Sequence, residues 1–365
     1  MNNNNSTDLR LIVLDNCKEF GKLVNEHIKK IRNSDFDYRI PILTPRFNNG
    51  EGKGQVLESI RGKDVYIISD IGNHGITYMS HGYTMHMSPD EHFQDIKRII
   101  GAMMGHASSI KVIMPLLYCS RQDKRESRES LDCAINLQEL ERLGVNEIIT
   151  FDVHNKGVQN AIPLLPFSNL FPTKTALYDF VMNEKIDFRN LTVVGPDLGS
   201  SKRANFYANI LKCPLGLCYK DRDYTKVEDG QNKMKTHKYI GEDVKDKNII
   251  IVDDMIDSGT SILDTAKMMK DRGAKEVYLM VTFSFFSKGI KMFDEAYKNN
   301  YFTKIYTTNV SYIKEEALEK PWLHVVDCSK DLALVIDTLN KQESITPLMN
   351  GKRELAKTLQ MKKDY

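Results

Sequence analysis

The chain has no stretch approaching about 18 uninterrupted apolar residues, so a membrane-spanning helix is not expected. It also lacks an excess of either charge. Lys plus Arg number 51 and Asp plus Glu 49, a net charge of +2 that leaves no broad field for nucleic acid or an anionic membrane surface. The six cysteines (17, 119, 133, 213, 218 and 328) form no C-x-x-C pair and no zinc spacing. Reduced thiols in a cytoplasmic protein are expected, not a disulfide framework. No G-x-x-x-x-G-K-[ST] occurs, so nucleotide binding cannot rest on a Walker loop. The polar start, Met1 to Thr7, has neither the charged lead nor the apolar core of a signal peptide. With 41% apolar and 27% charged residues among 365, a soluble globule of roughly two domains is expected.

What is present is strand alternating with helix. Ile110 to Leu117 is a nearly continuous apolar run, as expected of a strand covered on both faces. The charged stretch Arg121 to Ser130 follows. Leu131 to Leu143 then carries apolar residues at 131, 134, 135, 140 and 143, close to one helical face, and Gly144 can end that helix. Val145 to Val153 returns as a strand. The grammar recurs later: strand Asn248 to Val252, polar loop Asp253 to Ser261, helix Ile262 to Arg272, Gly273, strand Glu276 to Phe283. RLGVNEIITFDVH (142–154) and DRGAKEVYLMVTF (271–283) share helix end, glycine, two residues, glutamate and strand. Such self-similarity suggests two α/β units in tandem. The three prolines of 163–172 mark the boundary, giving domains 1–168 and 169–350 and a basic tail 351–365.

The segment VDDMIDSGTS (252–261) is the most informative. Asp253 and Asp254 follow an apolar strand at the edge where open parallel sheets bind ligands. Asp257, Ser258, Gly259, Thr260 and Ser261 lead into a helix, whose N–H groups and hydroxyls can cradle a phosphate. Carboxylates that accept from sugar hydroxyls beside such a cradle suit a sugar phosphate. A simple turn with a side-chain cap is the alternative.

This segment resembles the phosphoribosyl diphosphate loop shared by phosphoribosyltransferases and ribose-phosphate diphosphokinase. Further segments, in collinear order, resemble the diphosphokinase in particular. RFNNGEGKGQVLESIRGKDVYII (46–68) is similar to its adenine-recognition segment and YCSRQDKRESR (118–128) to its ATP loop. TFDVH (150–154) resembles its metal histidine segment, VVGPDLGSSKRA (193–204) the strand ending in a metal aspartate, and YKDRDYTK (219–226) the start of a mobile catalytic loop. QESITPLM (342–349) is similar to the family's end.

The resemblance implies an α/β fold of two tandem phosphoribosyltransferase-like domains, each a mostly parallel sheet flanked by helices. It implies transfer of the diphosphoryl group of ATP to ribose 5-phosphate, giving phosphoribosyl diphosphate and AMP. Lys220 and Arg222 would be catalytic, with Arg222 also serving the sugar phosphate. Phe47, Asn49, Gly50, Glu51, Arg121, Gln122 and Asp123 would bind ATP. Asp253, Asp254 and 257–261 would hold ribose 5-phosphate, and His154 and Asp197 would hold or organise Mg²⁺. A homo-oligomer, dimers assembling into hexamers, with no nucleic-acid or membrane partner, is the implied assembly, the adenine segment coming from a neighbouring chain. Asp152, two residues before His154, is expected to share its strand face and orient it. A phosphoribosyltransferase and a non-catalytic regulatory paralogue are the alternative functions. Asn49 stands where the family usually has aspartate, and the stretch 69–109 is longer than the family's. Four of its five histidines, at 74, 81, 86 and 92, have spacings that fit no standard metal site.

Overall fold

The computed structural model describes residues 8–228 and 231–349, with the backbone alone for 220–237 and 349. Along the chain run β1 (Leu9–Val13), α1 (Lys18–Arg32), β2 (Ile42–Leu43), β3 (Gln55–Val56), β4 (Asp64–Ile68), β5 (Thr77–Ser80), β6 (Tyr83–His86), α2 (Pro89–Ala102), β7 (Ser109–Ile113), α3 (Asp132–Arg142), β8 (Glu147–Phe151) and β9 (Phe167–Leu170). Then come α4 (Thr173–Asn183), β10 (Leu191–Gly195), α5 (Ser201–Leu211), β11 (Leu215–Glu228), β12 (Gln231–Ile240), β13 (Asn248–Ile256), α6 (Thr260–Asp271), β14 (Val277–Ser284), α7 (Lys291–Lys298), β15 (Lys304–Thr308), α8 (Glu315–Leu318), β16 (Leu323–Val326) and α9 (Ser329–Asn340). The chain forms two compact units: residues up to Pro172 with Asn309–Lys314 and 327–349, and 173–308 with 315–326.

In the first unit β1-β4-β7-β8-β9 form one parallel sheet. Its strands are short apolar runs; β4 and β8 are buried at every position. One core joins Val65, Ile67, Val112 and Ile148 of the sheet to Phe93, Ile96 and Ile99 of α2 and Leu137 and Leu140 of α3. The stripe of α2 follows from its i, i+3, i+6 spacing. Its start is a capping box: Ser88 Oγ accepts from Glu91 N, and Ser88 N donates to the Glu91 carboxylate. On α1, Phe20, Val24 and Ile28 are buried, and α9 packs beside that helix.

The proline-rich boundary expected from sequence puts all of 309–350 in the second domain, yet 309–314 and 327–349 pack with the first unit. The cause is polar as well as apolar. Arg32 donates to Asp337 and Asn340, both at 2.7 Å, and Asn340 Nδ2 donates to Asp64 at 2.8 Å. Asp70 accepts from Ser311 Oγ and from Tyr312 N, the latter at 2.7 Å.

In the second unit the sheet order is β12-β11-β10-β13-β14-β15-β16, parallel from β11 to β16 and antiparallel between β11 and β12. The β7-α3-β8 and β13-α6-β14 units have the same strand–helix–strand form with adjacent parallel strands, as the repeat implies. Among the described residues no helix is long and apolar enough to cross a membrane. None of the six cysteines is in a disulfide among the described residues.

Candidate active site

The carboxylate pair is the centre of the second unit's site. β13 does not stop at Val252; it continues to Ile256 and includes both acids. The reason is β14, a long parallel partner whose Val281, Phe283 and Ser284 pair with Asp253, Met255 and Ile256. Successive residues of a strand alternate in direction. Asp254 is accordingly buried, whereas Asp253 is partly open. Asp253 Oδ1 accepts from Asp254 N at 2.9 Å, and Arg203 Nη1 of α5 lies 3.8 Å away. Burial, then the charges of Asp254 and Asp197, hold the Asp253 carboxyl well above the usual carboxylate range; Arg203 opposes them.

β10 and β13 are parallel neighbours, so their C-terminal loops leave the same sheet edge. The β10 loop brings Asp197. Its Oδ1 accepts from Ser200 N at 2.8 Å while Ser200 Oγ donates to its carbonyl at 2.7 Å, which fixes the turn into α5. The β13 loop brings 257–261. Gly259 is the N-cap of α6 with φ 91°, and the helix start has no side-chain cap bond. The N-cap residue itself thus supplies no side-chain acceptor to this helix start. The first turn leaves N–H donors directed outward. A side chain at 259 is barred: its Cβ would meet Phe293 Cζ at 2.2 Å. Ser258 and Thr260 hydroxyls lie 3.4 Å apart over the same turn.

In the first unit, Phe47 to Glu51 form a tight turn. Phe47 N donates to Glu51 O and Gly50 N to Phe47 O, each at 2.8 Å, and Arg46 bridges Gly52. Asn49 is bound into the turn, accepting from Glu51 N at 3.1 Å and donating to the Glu51 carboxylate at 2.9 Å. Phe47 is 54% exposed, so its ring is a surface feature and not core. The loops after β7 and β8 are joined, since Asn155 Nδ2 donates to Asp123 Oδ2. Gln122 is engaged within its loop: its Nε2 donates to Ser130 O at 2.9 Å. Tyr118 anchors that loop on α2, stacked on Phe93 at 4.4 Å and donating to Asp90. Arg121 and His154 are exposed, each with an interaction of its own.

The expected alignment of Asp152 with His154 along one strand face is corrected. β8 ends at Phe151 and Asp152 takes φ 42°, so strand alternation stops before the histidine. Lys220 and Arg222, the catalytic pair expected from sequence, have side chains outside the described residues; only their backbone is described, in the β11–β12 hairpin. Three other groups were not assigned from sequence. Arg203 lay unremarked inside a quoted motif. The Asn155–Asp123 link had no local sign. Asp95 sits among the apolar positions of α2, a misplaced charge that could have pointed to its buried partner Arg46, with which it pairs at 2.6 Å.

Among the described residues no group of three His, Cys, Asp or Glu side chains is arranged to hold a metal unaided. The oxygen-rich edge nonetheless fits a hard divalent cation that keeps most of its shell from phosphate and water. Asp197, Asp253 and Asp254 are hard donors that repel one another, and a cation there would relieve that repulsion. The histidines at 74, 86 and 92 serve separately. His92 bonds Asn73 O at 2.6 Å, His86 bonds His74 O at 3.0 Å, and His74 packs edge-on to Tyr312.

Residues 9–144 match the family described as the N-terminal domain of ribose phosphate pyrophosphokinase, and residues 174–320 match the phosphoribosyl transferase domain. The ribose-phosphate pyrophosphokinase of Vibrio parahaemolyticus is 28% identical over 308 residues, covering 84% of this chain and 90% of that protein. That of Haemophilus influenzae is 27% identical over 312 residues, with the same coverage of 84% and 90%. The crystal structure of phosphoribosylpyrophosphate synthetase from Mycobacterium smegmatis has the same fold, with a TM-score of 0.74 at 21% identity over 92% of this chain and 99% of that one. Two domain matches in order, over a shared fold and nearly the full length of these relatives, make the chain a member of the ribose-phosphate pyrophosphokinase family.

Proposed function

We propose that the chain is a ribose-phosphate diphosphokinase, which transfers the diphosphoryl group of ATP to the anomeric hydroxyl of ribose 5-phosphate and releases AMP. The observation that carries this reading is the β13–α6 segment, where an acid pair stands beside a helix N-terminus whose N-cap residue is glycine. Asp253 and Asp254 accept from the ribose hydroxyls, and 257–261 take the 5-phosphate through N–H and hydroxyl donors. Phe47, with Asn49, Gly50 and Glu51, meets the adenine; Arg121, Gln122 and Asp123 serve the nucleotide. The anomeric oxygen then attacks the β-phosphorus in line. Such a transfer asks the protein mainly for positioning and charge stabilisation, which Lys220 and Arg222 supply.

Mg²⁺ bound with the nucleotide would neutralise its phosphates, and His154 and Asp197 are the residues that would hold or organise it. The proposed assembly is a homo-oligomer built from dimers, hexameric by resemblance, which light scattering tests. The proposed compartment is the cytoplasm, in keeping with six free thiols. Incubation of the purified chain with ATP, Mg²⁺ and ribose 5-phosphate is expected to give AMP only when the sugar is present. No AMP at any phosphate concentration would refute the assignment, and release of pyrophosphate with a nucleobase but without ATP would replace it with a phosphoribosyltransferase.

A further inference from the structure

The long stretch 69–109 contains a two-stranded hairpin, β5–β6, that the proposed function leaves without a task. We propose that this hairpin is part of the nucleotide-binding surface and that Tyr83 offers an aromatic face to the base of the bound nucleotide. The assignment rests on the reading of 47–51 as the adenine turn.

The hairpin is joined to that turn directly. Ser80 Oγ donates to Asn48 O at 3.2 Å, and His81 N donates to the same carbonyl at 3.0 Å. Gly50 faces the hairpin as well: a Cβ there would lie 3.3 Å from Ser80 Oγ and 3.7 Å from the Tyr78 hydroxyl. The root is fixed from two sides. Tyr78 OH donates to Glu91 at 2.5 Å, and the Arg46 guanidinium lies 5.6 Å from the Tyr78 ring centre. The connection is the shortest a hairpin uses, His81 and Gly82 both at positive φ (48° and 83°), which fixes the register.

Register decides where Tyr83 goes. It pairs with Ser80, as Met85 pairs with Tyr78. Directly opposed residues leave an antiparallel ladder on the same face. Ser80 and Tyr78 touch the adenine turn, so Tyr83 emerges on the face that meets it. Tyr83 is 72% exposed, beside a turn whose Phe47 is itself 54% exposed. Two solvated aromatics on joined turns form a surface suited to a flat π-system, because every base has a face on which to stack.

The test uses the full chain with Tyr83→Ala and Tyr83→Phe; the side chain is exposed, so folding is expected to be unaffected. Tyr83→Ala is expected to raise the KM for ATP about 5- to 150-fold, the range of one base–aromatic stack. It should leave kcat within about twofold and the KM for ribose 5-phosphate unchanged, with Tyr83→Phe restoring wild-type behaviour. Calorimetric titration with MgATP without sugar is expected to give the same ratio in Kd. A wild type that forms AMP, with an Ala variant unchanged in both KM and Kd for ATP, overturns the role of Tyr83 and leaves the proposed activity standing. A wild type that forms no AMP yet binds ATP, with binding lost in the Ala variant, supports the hairpin and refutes the activity. A change of oligomeric state in Tyr83→Ala with an unchanged Kd for ATP also overturns it, making the tip a subunit contact.

Discussion

Arg46 immediately precedes the turn at 47–51, and its guanidinium is held by Asp95 of α2 at 3.0 and 2.6 Å. Both side chains are nearly inaccessible, at 4% and 5% exposure, and Arg46 Nε has no partner among the described residues. Asp95→Leu would strip a buried cation of its hydrogen-bonded carboxylate and leave it the longer-range attraction of Glu91. Breaking a buried pair from one side costs about 3–5 kcal/mol. At about 2–4 °C per kcal/mol for a unit of this size, the melting temperature should fall by about 6–20 °C. Arg98 also reaches Asp95, at 2.8 Å, but is 31% exposed, so Arg98→Ala should cost no more than about 1 kcal/mol. The double variant Arg46→Met/Asp95→Leu removes both charges and should recover most of the loss. The assay is thermal and urea unfolding at fixed protein concentration, since assembly would shift the midpoint. A loss below about 1 kcal/mol for Asp95→Leu, or no recovery in the double variant, would refute the reasoning.

Asp70 is raised to about 6, chiefly by burial, against the hydrogen bonds from Tyr312 N, Ser311 and Gly72 N. Its folded value exceeds the unfolded one, so the folded state binds the proton more tightly, and its contribution to stability falls as pH rises from about 4 to about 6. Asp70→Asn should remove that slope; melting curves of variant and wild type that run parallel over this window would contradict it. Gly259→Ala combines a left-handed φ of 91° with a Cβ at 2.2 Å from the buried Phe293 ring. It should cost about 2–4 kcal/mol and raise the KM for ribose 5-phosphate, and unchanged unfolding would show that the loop relaxes freely. Lys220→Ala should lower kcat by a factor on the order of 10² to 10³ with the melting temperature unmoved; a large stability loss would mean the side chain is structural.

The periodic features of the sequence carried the fold, and their ends were where it misled. The apolar run Ile110 to Leu117 reads as one strand, but β7 stops at Ile113. The residues beyond it, Met114 and Leu117, are buried because the loop itself enters the core. Apolar character reports burial there and not strand. The converse holds at 253–256, where the acid pair reads as the start of a loop but a partner strand extends the ladder over it. The return of α9 to the first unit depends on Arg32 and Asp337, 305 positions apart, and no local pattern announces such a contact. Motif likeness nominated the site residues at Asp197 and Asp253. It was silent on what surrounds them.

That surrounding explains the shape of the site. Asp253 is partly desolvated beside two like charges, with the Arg203 cation at 3.8 Å. Left to folding alone, such an edge would be neutralised or replaced by apolar packing, since buried repulsion works against the native state. Gly259 departs from local preference in the same way: it caps a helix without a side chain, where Ser or Asp would satisfy the first turn. Two adjacent departures of opposite electrical character, crowded carboxylates and a helix N-terminus with glycine at its cap, suit one molecule bearing hydroxyls at one end and a phosphate at the other. Either departure alone would suit many ligands. Their adjacency, set by a strand that runs past its expected end, favours a sugar phosphate.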